Sequence, residues 1–347
     1  MIVVMEPRAT EVQIKKVSDY LIEHGFKINL NRGDVLTVIA AIGDKRLIDT
    51  HNINSFEGVR EVKLIQEPYK LASKQAQDHD TIIEFPNGVK IGGNERPVLI
   101  AGPCSVEADY EGLLKVALVA KEMGCQFLRG GAFKPRTSPY DFQGLEEKGL
   151  KYLARAKKET GLLIVTEIMD TMDIPLVSKY ADVLQVGARN MQNFKLLKAL
   201  GKINKPVMLK RGGAAGIREF LLAAEHIMYN GNHQVILCER GVKGLDTDFT
   251  RNTLDISAIP VIRRYSHLPI IVDPSHGTGR RYLIEPMAKA GLIAGAHGVM
   301  IEVHHDPDHA SSDGAQSLTI EQFKSVAKNL NRLIGRIDYD NKNRNQE

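Results

Sequence analysis

Ten residues carry more positive charge than folding needs: Arg129-Gly-Gly-Ala-Phe-Lys134-Pro-Arg136-Thr137-Ser138. Three cations and two hydroxyls follow a short apolar run, Gln126-Phe-Leu128. Arginine offers a planar fork of donors, lysine a point charge, and threonine and serine further hydroxyl donors. A strand ending in such a loop is suited to hold an anion, and phosphate is the natural candidate. The plainer reading is a solvated basic turn. It would serve for two cations but not for this density on a loop.

Similar residues recur after other apolar runs. Val98-Leu-Ile-Ala101 is followed by Gly102-Pro-Cys104-Ser-Val-Glu107, and Leu163-Ile-Val by Thr166-Glu167. Val183-Leu-Gln-Val186 leads into Gly187-Ala-Arg189-Asn190, and Val207-Met-Leu into Lys210-Arg211-Gly-Gly213. Val235-Ile-Leu-Cys238 continues as Glu239-Arg240-Gly241, and Ile270-Ile-Val272 as Asp273-Pro-Ser-His276. Val299-Met-Ile-Glu302 runs on to His304, with Asp306 and Asp313 beyond. Three opposite ends begin with a proline instead: Pro97, Pro206 and Pro269.

Two groups separate by residue type. Arg129, Lys134, Arg136, Arg189, Lys210 and Arg240 form a cationic set. Six half-buried cations repel unless an anion is present, so the expected ligand carries a carboxylate and one or two phosphates. Gly212-Gly213, ahead of a helical stretch at 217–229, adds a candidate anion-binding helix start. The second group is Cys104, His276, Glu302 and Asp313. Thiolate, imidazole and two carboxylates suit Mn, Fe, Co or Zn and do not favour Ca. Spacing alone leaves His304, His305 and Asp306 as rival ligands. Cys104 by itself reads as a small buried hydrophobe.

The elements that must position these groups are the eight apolar runs. They alternate with amphipathic stretches over residues 96–340, the pattern of a (β/α)8 TIM barrel, whose active site lies at the C-terminal strand ends. Residues 1–66 read as a separate α+β unit in ferredoxin-like β-α-β-β-α-β order. A strand at 2–5 precedes a helix at 11–23, capped by Thr10, with Val12, Ile14, Val17, Leu21 and Ile22 as its apolar positions. Strands at 27–30 and 36–39 flank an Asn31-Arg32-Gly33 turn; a helix at 47–54 and a strand at 59–65 complete the unit. Residues 67–95 are a polar connection containing a hairpin, 81–85 with 89–91, around Pro86-Asn-Gly88. The last helix is expected at 319–337, with residues 341–347 a frayed tail.

Composition narrows the class. Apolar residues make up 43 % and charged residues 25 %, an ordinary globular balance. A net charge of +4 is too small to argue for nucleic acid. No apolar segment reaches the ~20 residues of a membrane span. The first residues lack a basic leader, and three cysteines (Cys104, Cys125, Cys238) suggest a reducing, cytoplasmic setting rather than a disulfide framework.

Together, Gly-Pro-Cys-Ser-Val-Glu, Lys-Pro-Arg-Thr-Ser, Gly-Ala-Arg-Asn, Leu-Lys-Arg-Gly, Cys-Glu-Arg-Gly, Asp-Pro-Ser-His and the Glu302 to Asp313 segment resemble 3-deoxy-D-arabino-heptulosonate 7-phosphate synthase (DAHP synthase). The resemblance runs through the whole barrel, and residues 1–66 resemble the regulatory extension of one bacterial subgroup. It implies an aldol-like condensation of phosphoenolpyruvate with erythrose 4-phosphate, the entry to aromatic amino acids. It also implies that Cys104, His276, Glu302 and Asp313 hold a divalent metal ion, Mn2+ first, with Fe2+, Co2+ and Zn2+ as alternatives. Arg129, Lys134, Arg189, Lys210 and Arg240 would hold phosphoenolpyruvate; Arg136, Thr137 and Ser138 would hold the sugar phosphate. Lys134 is the expected proton donor, with its pKa lowered by neighbouring cations. Arg280 and Arg281 are further phosphate candidates. A phenylalanine or tyrosine effector near Asn31, Arg32 and Gly33 and a homotetramer are implied by the same likeness. Two rivals stand beside it. The sister family uses arabinose 5-phosphate, with Ala-Asn where this chain has Pro135. The other rival is an inert barrel serving an aromatic amino acid sensor.

Overall fold

The computed structural model describes residues 1–32, 36–43, 48–63, 68–77, 79–136 and 138–344. Two compact units divide the chain: Met1–His79 with Tyr265–His267, and Asp80–Arg264 with Leu268–Glu347.

The first unit contains β1 (Ile2–Met5), α1 (Glu11–Glu23), β2 (Lys27–Arg32), β3 (Thr37–Ile42), α2 (Thr50–Asn54) and β4 (Val59–Lys63). The strands form one sheet in the order β2-β3-β1-β4. Both neighbours of β1 run antiparallel to it. Thr10 and Gln13 close a reciprocal cap at the start of α1. The helix buries Ile14, Val17, Ser18 and Leu21. Val12 and Ile22 are 77 % and 53 % exposed, so the apolar stripe is narrower than the sequence pattern suggests. The expected Asn31-Arg32-Gly33 turn is different: Asn31 and Arg32 belong to β2, paired with Val38 and Thr37. Gly33, Leu47 and Ile65 lie outside the described residues.

The second unit opens with the hairpin β5 (Ile82–Glu84) and β6 (Lys90–Gly92). The barrel strands are β7 (Val98–Gly102), β8 (Phe127–Arg129), β9 (Leu163–Ile168), β10 (Val183–Val186), β11 (Val207–Lys210), β12 (Val235–Glu239), β13 (Ile270–Val272) and β14 (Gly298–Glu302). They close in the order β10-β11-β12-β13-β14-β7-β8-β9. Intervening helices are α3 (Tyr110–Glu122), α4 (Glu146–Thr160), α5 (Ile174–Tyr180), α6 (Phe194–Leu200), α7 (Ile217–Tyr229), α8 (Ala258–Tyr265), α9 (Pro274–Thr278) and α10 (Arg281–Ile293). The final helix α11 (Ile320–Arg344) runs past 337 and into the stretch expected to fray. Asp338 helps to extend it, pairing with Lys342 one turn on at 2.9 Å.

Side chains alternate across each strand, so every second residue enters the barrel. One layer is apolar: Ile100, Phe127, Val165, Val183, Met208, Cys238, Ile271 and Met300 share a buried cluster. Ile83, Phe85 and Ile91 of the hairpin join this cluster and close the end where the strands begin. The Phe85 ring meets Phe127 edge-on at 5.0 Å. The hairpin within the expected polar connection is therefore the barrel's floor, while residues 68–79 belong to the first unit. Two residues further along the strands, the layer changes to Arg129, Glu167, Gln185, Lys210, Arg240, Asp273 and Glu302. Gly102 completes the rim at φ 152°, where a Cβ would lie 2.0 Å from the Arg129 carbonyl oxygen. Only glycine lets β7 turn there and deliver Pro103-Cys104 into the mouth.

Candidate active site

The mouth is a cleft lined by Arg129, Lys134, Pro135, Arg136, Glu167, Gln185, Gly187, Ala188, Arg189, Lys210, Arg240, Arg251, His276 and Asp313. All six cations of the sequence-based set line it. They are not unopposed, as residue type alone suggested. Arg129 donates to Glu302 Oε1 at 2.6 Å, and Lys210 to Asp273 Oδ2 at 2.6 Å. Burial works against the Arg129 charge, but Glu302 and other anions hold it above the ordinary arginine range. Arg189 donates to the Pro135 carbonyl, and Arg136 to the carbonyls of Phe142 and Ser311 at 3.0 and 3.2 Å. These bonds fix the basic loop against its neighbours.

Two charges in the cleft remain without a direct partner among the described residues. Arg240 makes no hydrogen bond or salt bridge, and burial pulls its pKa below the ordinary value. Glu167 is 7 % exposed and likewise has no hydrogen-bond partner. A half-buried cation without a counter-charge is costly unless a ligand completes it.

At one wall stand Cys104, His276, Glu302 and Asp313. One ligand-capable atom from each lies within 4.8 Å of every other. Four elements supply them. Cys104 follows β7, His276 sits in the short helix α9, Glu302 ends β14, and Asp313 lies in the loop beyond. Asp273 caps α9 through the His276 N–H at 3.0 Å and also takes the ring Nδ1 at 2.8 Å. That leaves Nε2 pointing at Glu302 Oε1, 3.2 Å away. The Cys104 sulfur donates to Asp313 Oδ2 at 3.2 Å. Burial, then the Glu302 charge, pushes the Cys104 thiol up to about 11. Burial would raise Asp313, but His276 and Arg251 hold it down at about 2. A buried thiol, imidazole and two carboxylates this close together fit a borderline divalent cation by type, number and spacing.

Lys134 reaches the same wall. Its Nζ donates to the Cys104 carbonyl at 3.2 Å and contacts Sγ at 3.1 Å. Its pKa is raised, not lowered as the cationic neighbourhood suggested. Burial pulls it down, but the Cys104 sulfur and the Glu167 carboxylate outweigh burial and Arg129.

Other candidates fall elsewhere. Thr137 lies outside the described residues. The Ser138 hydroxyl accepts from Tyr140 N–H within its own turn and does not line the cleft. Arg280 ties down the carbonyls of Phe249 and Asp248, and Arg281 that of Gly314. Both are loop clamps. Gly213 and Gly212 do not line the cleft: the Gly212 N–H contacts the Met191 sulfur, and Glu219 caps the start of α7. The rival ligands are paired apart from the metal wall. His304 faces Glu107 at 3.6 Å, His305 faces Asp109 at 3.2 Å, and Asp306 takes His309 at 2.8 Å. In the first unit, Arg32 forms a two-pronged salt bridge with Glu11. Cys238 is fully buried in the apolar layer. The sequence reading missed Glu167, Gln185, Arg251 and Asp273.

This arrangement matches known proteins along nearly the whole chain. Residues 75–337 match the model of the DAHP synthetase I family, and residues 1–67 that of the DAHP synthase ferredoxin-like domain. The chain belongs to the DAHP synthase family. It is 49 % identical over 333 residues to the phospho-2-dehydro-3-deoxyheptonate aldolase of Thermotoga maritima, covering 96 % of this chain and 97 % of that one. The crystal structure of the Thermotoga maritima DAHP synthase superposes with a TM-score of 0.76 at 48 % identity, over 97 % of this chain and 98 % of the other. A 2-dehydro-3-deoxyphosphooctonate aldolase of Syntrophotalea carbinolica is 31 % identical over 262 residues, 70 % of this chain and 92 % of its own. That relative matches a smaller share of the chain at lower identity. The chain is thus an aldolase-type DAHP synthase with a TIM barrel and a ferredoxin-like unit. Among the described residues, no helix is long and apolar enough to cross a membrane.

Proposed function

We propose that the mouth condenses phosphoenolpyruvate with erythrose 4-phosphate, giving DAHP and inorganic phosphate, beside a divalent ion held by Cys104, His276, Glu302 and Asp313. The observation that carries this reading is Arg240, an unpartnered cation in a cleft shared by six other arginines and lysines and by His276 and Asp313 of the four-ligand group. Arg129, Lys134, Arg189, Lys210 and Arg240 bind the carboxylate and phosphate of phosphoenolpyruvate; Arg136, with Thr137 beside it in sequence, takes the sugar phosphate, while Ser138 stays in its own turn. The bound ion, Mn2+ by preference with Fe2+, Co2+ or Zn2+ as substitutes, supplies Lewis acidity at the aldehyde oxygen.

The protein's residues do the rest. The cations hold C3 of the enol ester within reach of the aldehyde carbon, so the C2–C3 double bond supplies the electrons of the new C–C bond. Lys134 gives its proton to the aldehyde oxygen. Water adds at the electron-poor C2, and Glu167, the unpartnered carboxylate of the cleft, accepts its proton. As the C2–O bond to phosphate breaks, the C2 hydroxyl gives its proton to the departing phosphate and becomes the ketone.

Turnover of phosphoenolpyruvate with erythrose 4-phosphate and with arabinose 5-phosphate, each with and without EDTA, tests the reading. The expected result is turnover with the four-carbon sugar alone, abolished by EDTA and restored by Mn2+. Preference for the five-carbon sugar would overturn the specificity drawn from Lys134-Pro135-Arg136. Survival in EDTA would remove the metal, and no turnover would support an inert sensor.

The ferredoxin-like unit, in this reading, binds phenylalanine or tyrosine between paired copies within a homotetramer. A protein lacking residues 1–66 is expected to keep turnover and lose inhibition by either amino acid. Unchanged inhibition of the truncated protein would place the effector on the barrel.

A further inference from the structure

One short segment between β12 and α8 reaches Asp313 and His276 directly and Glu302 through Gln316. Arg251 Nη1 donates to Asp313 Oδ1 at 3.1 Å and to Gln316 Oε1 at 2.9 Å. Gln316 is 3 % exposed, and its Nε2 donates onward to Glu302 Oε2. An arginine can only donate, so Arg251 fixes which end of the Gln316 amide faces Glu302. The next residue, Asn252, donates to the His276 carbonyl at 2.9 Å. The backbone N–H groups of Arg251 and Asn252 reach the Thr278 and Gly277 carbonyls at 2.8 and 3.1 Å. Asp313 sits at φ 49°, a left-handed conformation that a residue with a side chain keeps only when its surroundings impose it.

We propose that Arg251 and Gln316 are positioning residues of the metal centre, presetting the Asp313 and Glu302 carboxylates for a divalent cation. The proposal rests on the metal reading above. The two Glu302 oxygens have separate tasks. Oε1 faces Arg129 and His276 Nε2, at 2.6 and 3.2 Å, while Oε2 is taken by Gln316. Releasing Oε2 lets the carboxylate rotate away from the wall. Removing Arg251 frees both the Asp313 carboxylate and the Gln316 amide. A cation must then order groups that the protein had ordered in advance. The anion side of the same loop is anchored independently. Glu239 accepts from the Gly241 N–H at 2.6 Å and pairs with Arg211 at 2.8 Å, which also holds Asp255 at 2.9 Å. These bonds hold the backbone beside Arg240 without help from Arg251.

The test is calorimetric titration of Mn2+, and separately of phosphoenolpyruvate, into metal-free full-length protein. Wild type is compared with Arg251→Ala, Arg251→Lys, Gln316→Leu and Cys104→Ser. The Arg251 side chain is 42 % exposed, so its truncation leaves the barrel folded. Mn2+ Kd is expected to rise on the order of 10- to 100-fold in Arg251→Ala and Gln316→Leu. Arg251→Lys, able to serve one partner at a time, is expected to fall between. In Gln316→Leu, whose side chain does not line the cleft, phosphoenolpyruvate Kd is expected to stay within about threefold. Unchanged Mn2+ Kd in both truncations overturns the proposal. So does equal weakening of both ligands in Gln316→Leu, which would mean general loosening of the mouth. A wild type that binds Mn2+ no more tightly than Cys104→Ser is a different failure: it overturns the metal reading itself.

Discussion

Replacing Lys134 by Met is expected to lower kcat on the order of 10²- to 10⁴-fold, the range for loss of one positioned acid. Met matches the length of the aliphatic stem and removes only the charged donor. The ammonium is buried, touches the Cys104 carbonyl and sulfur, and lies in the cleft with Glu167. Its raised pKa means that it enters the reaction protonated. A tightly held proton makes a weaker acid, but a fixed positive charge at the developing alkoxide stabilises the transition state even before transfer is complete. Both contributions vanish in Lys134→Met, and neither returns in a shorter cation that cannot reach Cys104. Because Lys134 contacts a proposed metal ligand, Mn2+ Kd is the control. A fall in kcat with Mn2+ binding kept assigns the loss to Lys134 itself. Near-normal kcat would remove Lys134 from the chemistry, and loss of Mn2+ binding would make its role one of supporting Cys104.

The residues legible in the sequence were those whose type announced their chemistry: runs of Arg and Lys, and Cys, His, Glu and Asp after strands. Those missed were readable by position instead. Glu167 lies two residues after the inward Val165, Gln185 two after Val183, and Asp273 two after Ile271. Extending the strand alternation by one step would have placed all three in the mouth. Asp273 and Glu239 were quoted as motif letters, yet their work is to hold His276, Lys210 and Arg211. Arg251 and Gln316 had no such signal. They meet Asp313 and Glu302 only because loops from different strands converge. The fold was more legible than the site because apolar periodicity is local. Its errors came at ends, where tertiary pairing decides. The β5–β6 hairpin looked polar because only Ile83, Phe85 and Ile91 turn into the barrel, and α11 continues past 337 with Asp338 bonded to Lys342.

Neutralising Asp273 is expected to separate the two halves of the site. In Asp273→Asn, kcat should fall on the order of 10- to 100-fold and Mn2+ Kd rise by a similar factor, the usual cost of losing a partner behind a metal-binding histidine. Asp273 is fully buried and joins Lys210 at 2.6 Å to His276 Nδ1 at 2.8 Å. Burial alone would raise its pKa, but His276 and Lys210 hold it well below the carboxylate range. It is therefore charged whenever the enzyme works. Its charge keeps the ring proton on Nδ1 and leaves Nε2 free for the metal wall. An asparagine amide can present either its oxygen or its nitrogen to the ring, so that choice is lost. The Lys210 ammonium, left buried without its carboxylate, should destabilise the fold by about 3–5 kcal/mol. Phosphoenolpyruvate supplies a new counter-anion to the same lysine. Its KM should therefore rise far less than kcat falls, and saturating phosphoenolpyruvate should recover part of the lost Tm. Thermal shift with and without phosphoenolpyruvate, beside Mn2+ titration, measures both arms. If Mn2+ Kd is unchanged, His276 does not depend on Asp273. If phosphoenolpyruvate gives no more protection to Asp273→Asn than to wild type, Lys210 is not the point at which substrate replaces the buried carboxylate.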